Sequence, residues 1–280
     1  IFRIGGRTVE LKYQRETMQG IIIAAGLGSR MGTFTQVRPK CLLPIAGRTL
    51  LEHTVENLRQ AGCDRVAVIV GHRAEMIRHP DIEIVHNDDF ENNNILHSFM
   101  YARDALEGPV IVSYSDIWVE PYIHRALIDT PGDIVLAVDR DWLPYYEGRL
   151  MHPVSEAENV LVESDGGVVA AGKHLSHQAA GDRLCGEFLG LWRMSACGTE
   201  AFKNAFDTID HELDPTSPFQ QAAEWRKAYI TDLVQYLVDD QVRVDSAYVE
   251  RGWAELDTEE DYKRLSEIAE RQRLTTISQY

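Results

Sequence analysis

The sequence predicts an α/β protein in three layers, helices on both faces of a mixed, mainly parallel sheet with a small β-rich insertion. Three observations carry this. From residue 20 to 138, apolar β-prone runs alternate with stretches of 3.6-residue apolar periodicity, the pattern of successive strand–helix–strand units. The first run, Ile21–Ala25, ends in the small-residue turn Gly26-Leu27-Gly28-Ser29, on the side where open α/β sheets bind ligands. After Asp139 the alternation gives way to short strand-like runs joined by turn residues.

The elements follow in order. Thr49–Ala61 places Leu51, Val55 and Leu58 on one helical face, and Gly62 ends the helix. Arg65–Val70 reads as a strand buried on both faces, Ala74–Ile77 as a short helix and Glu83–His86 as a short strand. The polar loop Asn87–Asn94 leads into a helix over Ile95–Leu106, with Asn94 in the capping position. Pro109–Tyr114 is a strand ending at Ser115-Asp116, Pro121 opens a helix, and Ile134–Val138 is the next strand. Asn159–Glu163 and Val168–Ala171 flank Ser-Asp-Gly-Gly, a hairpin turn, and Gly186–Trp192 is a further strand. Cys197–Ile209 and Tyr229–Val238 are helical, Val242–Val249 is a strand, and Thr258–Asp261 opens a last helix with capping chemistry.

With 280 residues, 44% of them hydrophobic, the chain can build one large α/β domain. Residues 18–280 are expected to form it, with 139–192 as the β-rich insertion; residues 1–17 read as a leader, a tag or a linker remnant, because Met18 directly precedes the first strand. A net charge of −16 argues against nucleic acid or an anionic membrane as partner. The sequence shows no membrane span and no signal peptide, which points to the cytoplasm. Within this acidic chain Arg30, Arg38, Lys40 and Arg48 form a local basic cluster, suited to a metal-bound nucleotide. Cys41, Cys63, Cys185 and Cys197 have no Cys-x-x-Cys spacing and are expected to be free buried thiols.

A buried strand that ends in a glycine turn with two cations close by is a place to hold a polyphosphate, because glycine admits oxygens close to the backbone and successive free amides form an anion nest. Two familiar phosphate motifs are excluded. There is no Gly-x4-Gly-Lys-Ser/Thr run. The dinucleotide fingerprint fails because Met31 stands where its third glycine belongs and the helical Leu50–Gln60 occupies the region where its acidic residue closes a second strand.

What remains is Ala24-Ala25-Gly26-x-Gly28-x-Arg30 followed by Pro39-Lys40-x-Leu42-Leu43-Pro44. This resembles the signature of the nucleotidyltransferases that activate sugar phosphates, phosphocholine or phosphonates with a nucleoside triphosphate, and the resemblance runs over about residues 19–272. It implies a Rossmann-like nucleotidyltransferase fold. It also implies that Ala24, Ala25, Gly26, Leu27, Gly28, Ser29 and Arg30 cradle the phosphates, that Lys40 and Arg30 are catalytic, and that Asn94, Ser98 and Ser115 face the nucleoside. Asp116 and Asp257 would be the two carboxylates of a Mg²⁺ site; a hard oxygen set suits that ion.

The stretches Val112–Ile117, Val138–Trp142, Tyr146–Arg149, Glu156–Glu158, Gly172-Lys173, Gly186–Gly190, Tyr229–Leu233 and Trp253–Asp257 look like the phosphonate cytidylyltransferases. The implied partners are CTP and a small phosphonate or phosphomonoester, with a homodimer as an open expectation. A zwitterionic acceptor such as 2-aminoethylphosphonate asks for cations at its phosphonate, for which Arg140, Arg149 and Lys173 stand ready. Its ammonium asks for acids or aromatics, for which Asp139, Asp141, Glu187 and Trp142 do. Hydroxyethylphosphonate, phosphocholine and a sugar 1-phosphate are the alternative acceptors. A non-catalytic nucleotide sensor is the alternative of another class; it predicts loss of a metal acid or of the signature lysine, and all are present.

Overall fold

The computed structural model describes residues 2–4, 7–9, 17–175 and 180–277. In chain order the strands are β1 (Phe2–Ile4), β2 (Arg7–Val9), β3 (Met18–Ala24), β4 (Pro44–Ile45), β5 (Arg48–Thr49), β6 (Cys63–Val70), β7 (Glu83–His86), β8 (Val110–Tyr114), β9 (Ile117–Val119), β10 (Ile134–Asp139), β11 (Glu158–Val162), β12 (Val168–Lys173), β13 (Leu184–Met194), β14 (Asp245–Val249) and β15 (Trp253–Glu255). The helices are α1 (Thr33–Gln36), α2 (Leu50–Gln60), α3 (Ile95–Met100), α4 (Pro121–Asp129), α5 (Ala196–Glu212), α6 (Ile230–Asp239) and α7 (Glu259–Ile277).

The main sheet runs β12-β11-β13-β8-β3-β6-β7, with β10 on the other edge of β13 and β14 beyond it. β8, β3, β6 and β7 are mutually parallel, as is the β10–β14 pair; β13 runs antiparallel to β8, β10 and β11. The fold is therefore the Rossmann-like mixed α/β arrangement, and the expected insertion is a continuation of the same sheet. β13 is what joins them: Leu191–Met194 pair with β8, and Leu184–Glu187 pair with β11.

β3 shows why the layers form. Ile21 and Ile23 point to one core with Phe99, Phe202, Phe206 and Leu233, while Ile22 and Ala24 point to the other with Leu51, Val55 and Leu58. Period-two alternation in a strand apolar on both faces needs helices on both sides. α3, α5 and α6 cover one face and α2 and α4 the other. The capping predicted for α7 is present, and α2 opens on a capping box that the sequence reading did not name. Glu52 N donates to Thr49 Oγ1 and Thr49 N to Glu52 Oε2; Asp261 N donates to Thr258 Oγ1 and Thr258 N to Asp261 Oδ2.

Some expectations need correction. The helix expected over Ile95–Leu106 ends at Met100 and resumes as a separate 3-10 turn, Arg103–Ala105. Asn94 makes no side-chain cap; its amide Nδ2 donates instead to Lys227 O. β14 starts at Asp245, later than the predicted strand. Cys41, Cys63 and Cys185 are free and buried as expected, but Cys197 is exposed, because the first turn of α5 faces solvent there. Of residues 1–17, the described part is the antiparallel strand pair β1–β2 and Thr17; the rest of that call lies outside the described residues. Among the described residues no helix is long and apolar enough to cross a membrane.

Candidate active site

β3 ends at Ala24 and the backbone opens into the glycine turn. Gly28 adopts φ +62, in the left-handed region where a side chain is strained, and a Cβ there would lie 3.1 Å from Thr35 Cγ2. Thr35 Oγ1 donates to Gly28 O at 2.8 Å, so α1 holds the turn from behind. Pro39, in extended conformation, sets the start of the 3-10 turn Lys40–Leu42 and fixes where the Lys40 stem leaves the backbone.

The two acids arrive by a different route. β9 follows β8 directly, and β15 pairs with it antiparallel, Glu255 opposite Ile117. Leu256 N then donates to Asp116 O at 2.8 Å. This two-stranded ribbon brings Asp116 and Asp257 side by side over the carboxyl ends of β3 and β8. Lys40 Nζ donates to Asp116 Oδ2 at 2.9 Å and to Asp257 Oδ1 at 2.7 Å. Arg30 Nη2 lies 2.7 Å from Asp257 Oδ2, and His152 Nδ1 is 2.9 Å from the same oxygen.

The electrostatics follow from this crowding. Burial opposes charge on Lys40, but Asp116 and Asp257 more than reverse it and hold the ammonium above its ordinary range. Burial likewise opposes charge on Asp257, and Lys40, His152 and Arg30 overcome it, keeping the carboxylate ionised well below the usual range. Glu255 has no such surplus: burial, then Asp257 and Asp116, push its carboxyl well up.

These groups line a cavity of about 510 Å³, whose walls include Ala24, Ala25, Gly26, Gly28, Asn94, Ser98, Ser115 and Lys173. Such a volume suits a nucleotide with part of an acceptor. Ser98, buried, donates to Asn93 Oδ1 at 3.1 Å and accepts from Asn87 Nδ2 at 2.8 Å, tying the polar loop into the wall. Lys173 Nζ sits 3.2 Å from Glu156 Oε2 and 4.6 Å from the centre of the Tyr229 ring.

Not every expected residue comes to the cavity. Leu27 and Ser29 do not line it, and both are exposed. Arg38 and Arg48 are exposed outside it, Arg48 paired with Glu56. Arg140 pairs with Glu250 on the outer surface, and Asp141 is exposed beside it. Trp142 is packed in the core of the insertion, its Nε1 donating to Cys185 O. Asp139 is fully buried and receives Arg251 Nη1 at 2.8 Å and Trp253 Nε1 at 2.7 Å, which pins β15 to β10.

Arg149 is also structural in its contacts. It lies between the Tyr145 and Tyr146 rings, 4.9 and 4.8 Å from their centres, and pairs with Asp261 at 2.9 Å and Glu255 at 3.6 Å. A buried carboxylate such as Asp261 needs a cation, and the aromatic insertion supplies it; the sequence shows only an arginine among aromatics. Glu187 is buried in a small recess behind the main cavity, its Oε1 accepting from Tyr146 OH.

Sequence reasoning missed His152 and Glu255. Together with Asp257 they are, among the described residues, the group whose ligand atoms come within 4.8 Å of one another. Glu255 lay within reach, since a strand that ends Glu-Leu-Asp puts both acids on one face. His152 had no local signal. Asp257 offers carboxylate oxygens of the kind a Mg²⁺ ion prefers, with Glu255 and His152 beside it, and Lys40 joins it to Asp116.

A glycine turn for phosphates, two convergent cations and a pair of acids at the carboxyl end of a parallel sheet define a nucleotidyltransferase. The chain belongs to the family of the MobA-like NTP transferase domain, whose model matches residues 20–180. It is 23% identical over 251 residues to the CTP:phosphoglutamine cytidylyltransferase of Campylobacter jejuni, covering 86% of this chain and 96% of that one. It is 31% identical over 240 residues to the CMP-5′-(3-aminopropyl)phosphonate synthase of Streptomyces rubellomurinus, covering 80% of this chain but only 37% of that longer one. The CTP:phosphocholine cytidylyltransferase of Streptococcus pneumoniae shares the fold, with a TM-score of 0.66 at 19% identity over 90% of this chain and 99% of that one.

Proposed function

We propose that the chain transfers CMP from CTP to a small phosphonate and releases pyrophosphate. The observation that carries the reading is Lys40, held between Asp116 and Asp257 beside the glycine turn. The cytidine choice is supported by the three proteins named above, all of which take their names from CTP or CMP and a phosphorus-bearing acceptor, and the phosphonate by the Streptomyces relative.

In this reaction an acceptor oxygen attacks the α-phosphorus of the triphosphate, and the bond from that phosphorus to the bridging oxygen of pyrophosphate breaks. Both reactants are anions, so the protein's work is positioning and charge neutralisation. The backbone from Gly26 to Arg30 and the Arg30 guanidinium hold the leaving phosphates. Lys40 faces the α-phosphate, where charge accumulates in the transition state. Asn94, Ser98 and Ser115 face the nucleoside, and Lys173, which lines the cavity where Arg140 and Arg149 do not, is the cation for the acceptor's phosphonate. The segment 139–192 selects the acceptor within a single domain of residues 18–280. Asp116 and Asp257 would hold a Mg²⁺ ion, which when bound supplies neutralisation of the phosphate charge. No general base is required, because a phosphonate is already ionised at neutral pH.

The test is pyrophosphate release from CTP and magnesium with 2-aminoethylphosphonate, 2-hydroxyethylphosphonate, phosphocholine and glucose 1-phosphate. Turnover with a phosphonate at the highest kcat/KM is the expected result. Nucleotide binding with no pyrophosphate from any acceptor would make the protein a sensor.

A further inference from the structure

The segment around His152 inverts the usual order of burial. Leu150 and Met151 are 87% and 58% exposed, while His152 beside them is 3% exposed. The backbone holds them so: Leu150 N and Met151 N donate to Glu260 Oε2 at 3.1 and 3.3 Å, and Arg149 is held by Asp261 at 2.9 Å. Two apolar side chains stand in water while one imidazole is turned into the wall of the main cavity.

That imidazole is not satisfied by what it meets. Its Nδ1 lies 2.9 Å from Asp257 Oδ2, close enough to favour the charged carboxylate, but the two are not aligned for a hydrogen bond, and Nδ1 is buried with no hydrogen-bonding partner. Its Nε2 is 3.6 Å from Glu255 Oε2, beyond hydrogen-bond reach. Asp257 divides its oxygens between two sides. Oδ1 receives Lys40, which also holds Asp116; Oδ2 faces His152 and Arg30. The Arg30 side chain is 52% exposed at the end of the glycine turn, with room to leave Oδ2 for a phosphate.

A nitrogen and an oxygen this close without a hydrogen bond are spaced as two ligands of one ion: donors about 2.1 Å from a metal and at right angles to each other stand about 3.0 Å apart. Glu255 supplies a third donor, the ligand atoms of His152, Glu255 and Asp257 all lying within 4.8 Å of one another. Asp116 does not belong to this group. The donor chemistry also differs from that of a magnesium site. Mg²⁺ takes oxygen ligands, whereas an imidazole nitrogen favours the first-row transition ions, with affinity rising from Mn²⁺ to Co²⁺.

We propose that His152 Nδ1, Asp257 Oδ2 and the Glu255 carboxylate form a second cation site, for a divalent first-row transition ion, on the side of Asp257 turned away from Asp116. The site goes beyond the CMP-transfer reading and does not depend on which acceptor is used. Within that reading, its ion stands beside Arg30 and adds positive charge on the side of the leaving phosphates. His152 is then a ligand that the insertion delivers to the ribbon carrying the acids.

The experiment adds Mn²⁺ to the full chain without nucleotide and reads the bound ion by pulsed paramagnetic resonance, in which a ligated imidazole gives a nitrogen hyperfine coupling that an all-oxygen site lacks. The wild type should show that coupling, and calorimetric titration should rank Co²⁺ above Mn²⁺ and Mn²⁺ above Mg²⁺. In His152→Asn the coupling should vanish and Mn²⁺ affinity should fall by about 10-fold or more, the scale seen when the surroundings of a metal are disturbed. Glu255→Gln serves if that variant does not fold: Mn²⁺ affinity should fall by a similar factor with the coupling kept. No bound Mn²⁺, bound Mn²⁺ without nitrogen coupling, coupling that survives in His152→Asn, unaltered affinity in Glu255→Gln, or Mn²⁺ bound no tighter than Mg²⁺ would each overturn the proposal. None of these measurements reads turnover, so CMP transfer stands or falls separately in the pyrophosphate assay.

Discussion

Lys40 Nζ lies 2.7 Å from Asp257 Oδ1 across 217 positions of sequence, and the same ammonium reaches Asp116 at 2.9 Å. One side chain thus links the signature turn to the ribbon that carries both acids. A nucleotidyl transfer needs positive charge at the α-phosphate and an acid pair beside it, and this contact places both at one point.

Lys40→Ala should lower kcat by about 10²- to 10³-fold, as for loss of other transition-state electrostatic donors, with a much smaller change in the dissociation constant of CTP. Stopped turnover assays and calorimetric CTP titration measure the two. Comparable losses in both would place Lys40 on the bound substrate alone.

Asp116→Asn should remove the magnesium dependence together with most of the activity, a fall of about 10²-fold or more. Binding of Mn²⁺ to the protein, read by paramagnetic resonance, should weaken in parallel. Near-normal rates and unaltered Mn²⁺ binding would take Asp116 out of the metal site.

Arg149→Met should act on stability. It removes the ion-pair partner of Asp261, whose side chain is 1% exposed, and breaking such a buried pair costs about 3–5 kcal/mol. Denaturant unfolding should show that loss, while the KM for the acceptor in the folded variant stays close to normal. A large KM change with intact stability would return Arg149 to the acceptor site.

The pH profile should separate two acceptors. Glu187 accepts from Tyr146 and feels the charges of Arg149, Asp139 and Arg251, and burial raises its carboxyl to about 8 despite them. Below that pH it is protonated and neutral; above it, it is charged and matches an ammonium. The KM for 2-aminoethylphosphonate should therefore fall as pH rises from about 6 to 9. The ratio of this KM to that for 2-hydroxyethylphosphonate, set against the same ratio in Glu187→Gln, isolates the carboxyl, because the acceptors' own ionisations are common to both proteins. A ratio flat with pH would contradict the assignment.

The sequence by itself determined what depends on neighbours in the chain. An isoleucine run alternating between two apolar faces makes β3 central, and Gly28 at a positive φ makes the phosphate turn. Pro39 sets the departure of Lys40, and Thr49 and Thr258 cap their helices. Tertiary structure alone decided which charges serve the site. Asp116 and Asp257 meet because β9 pairs with β15, a long-range register that no local pattern encodes. His152 reaches Asp257 from the insertion, while Asp139 and Arg149 are drawn inward to pin that insertion down. The reason is physical: backbone preference and side-chain period act over a few residues, whereas the role of a charge depends on which partner and how much water surround it. Those are settled only when distant segments pack.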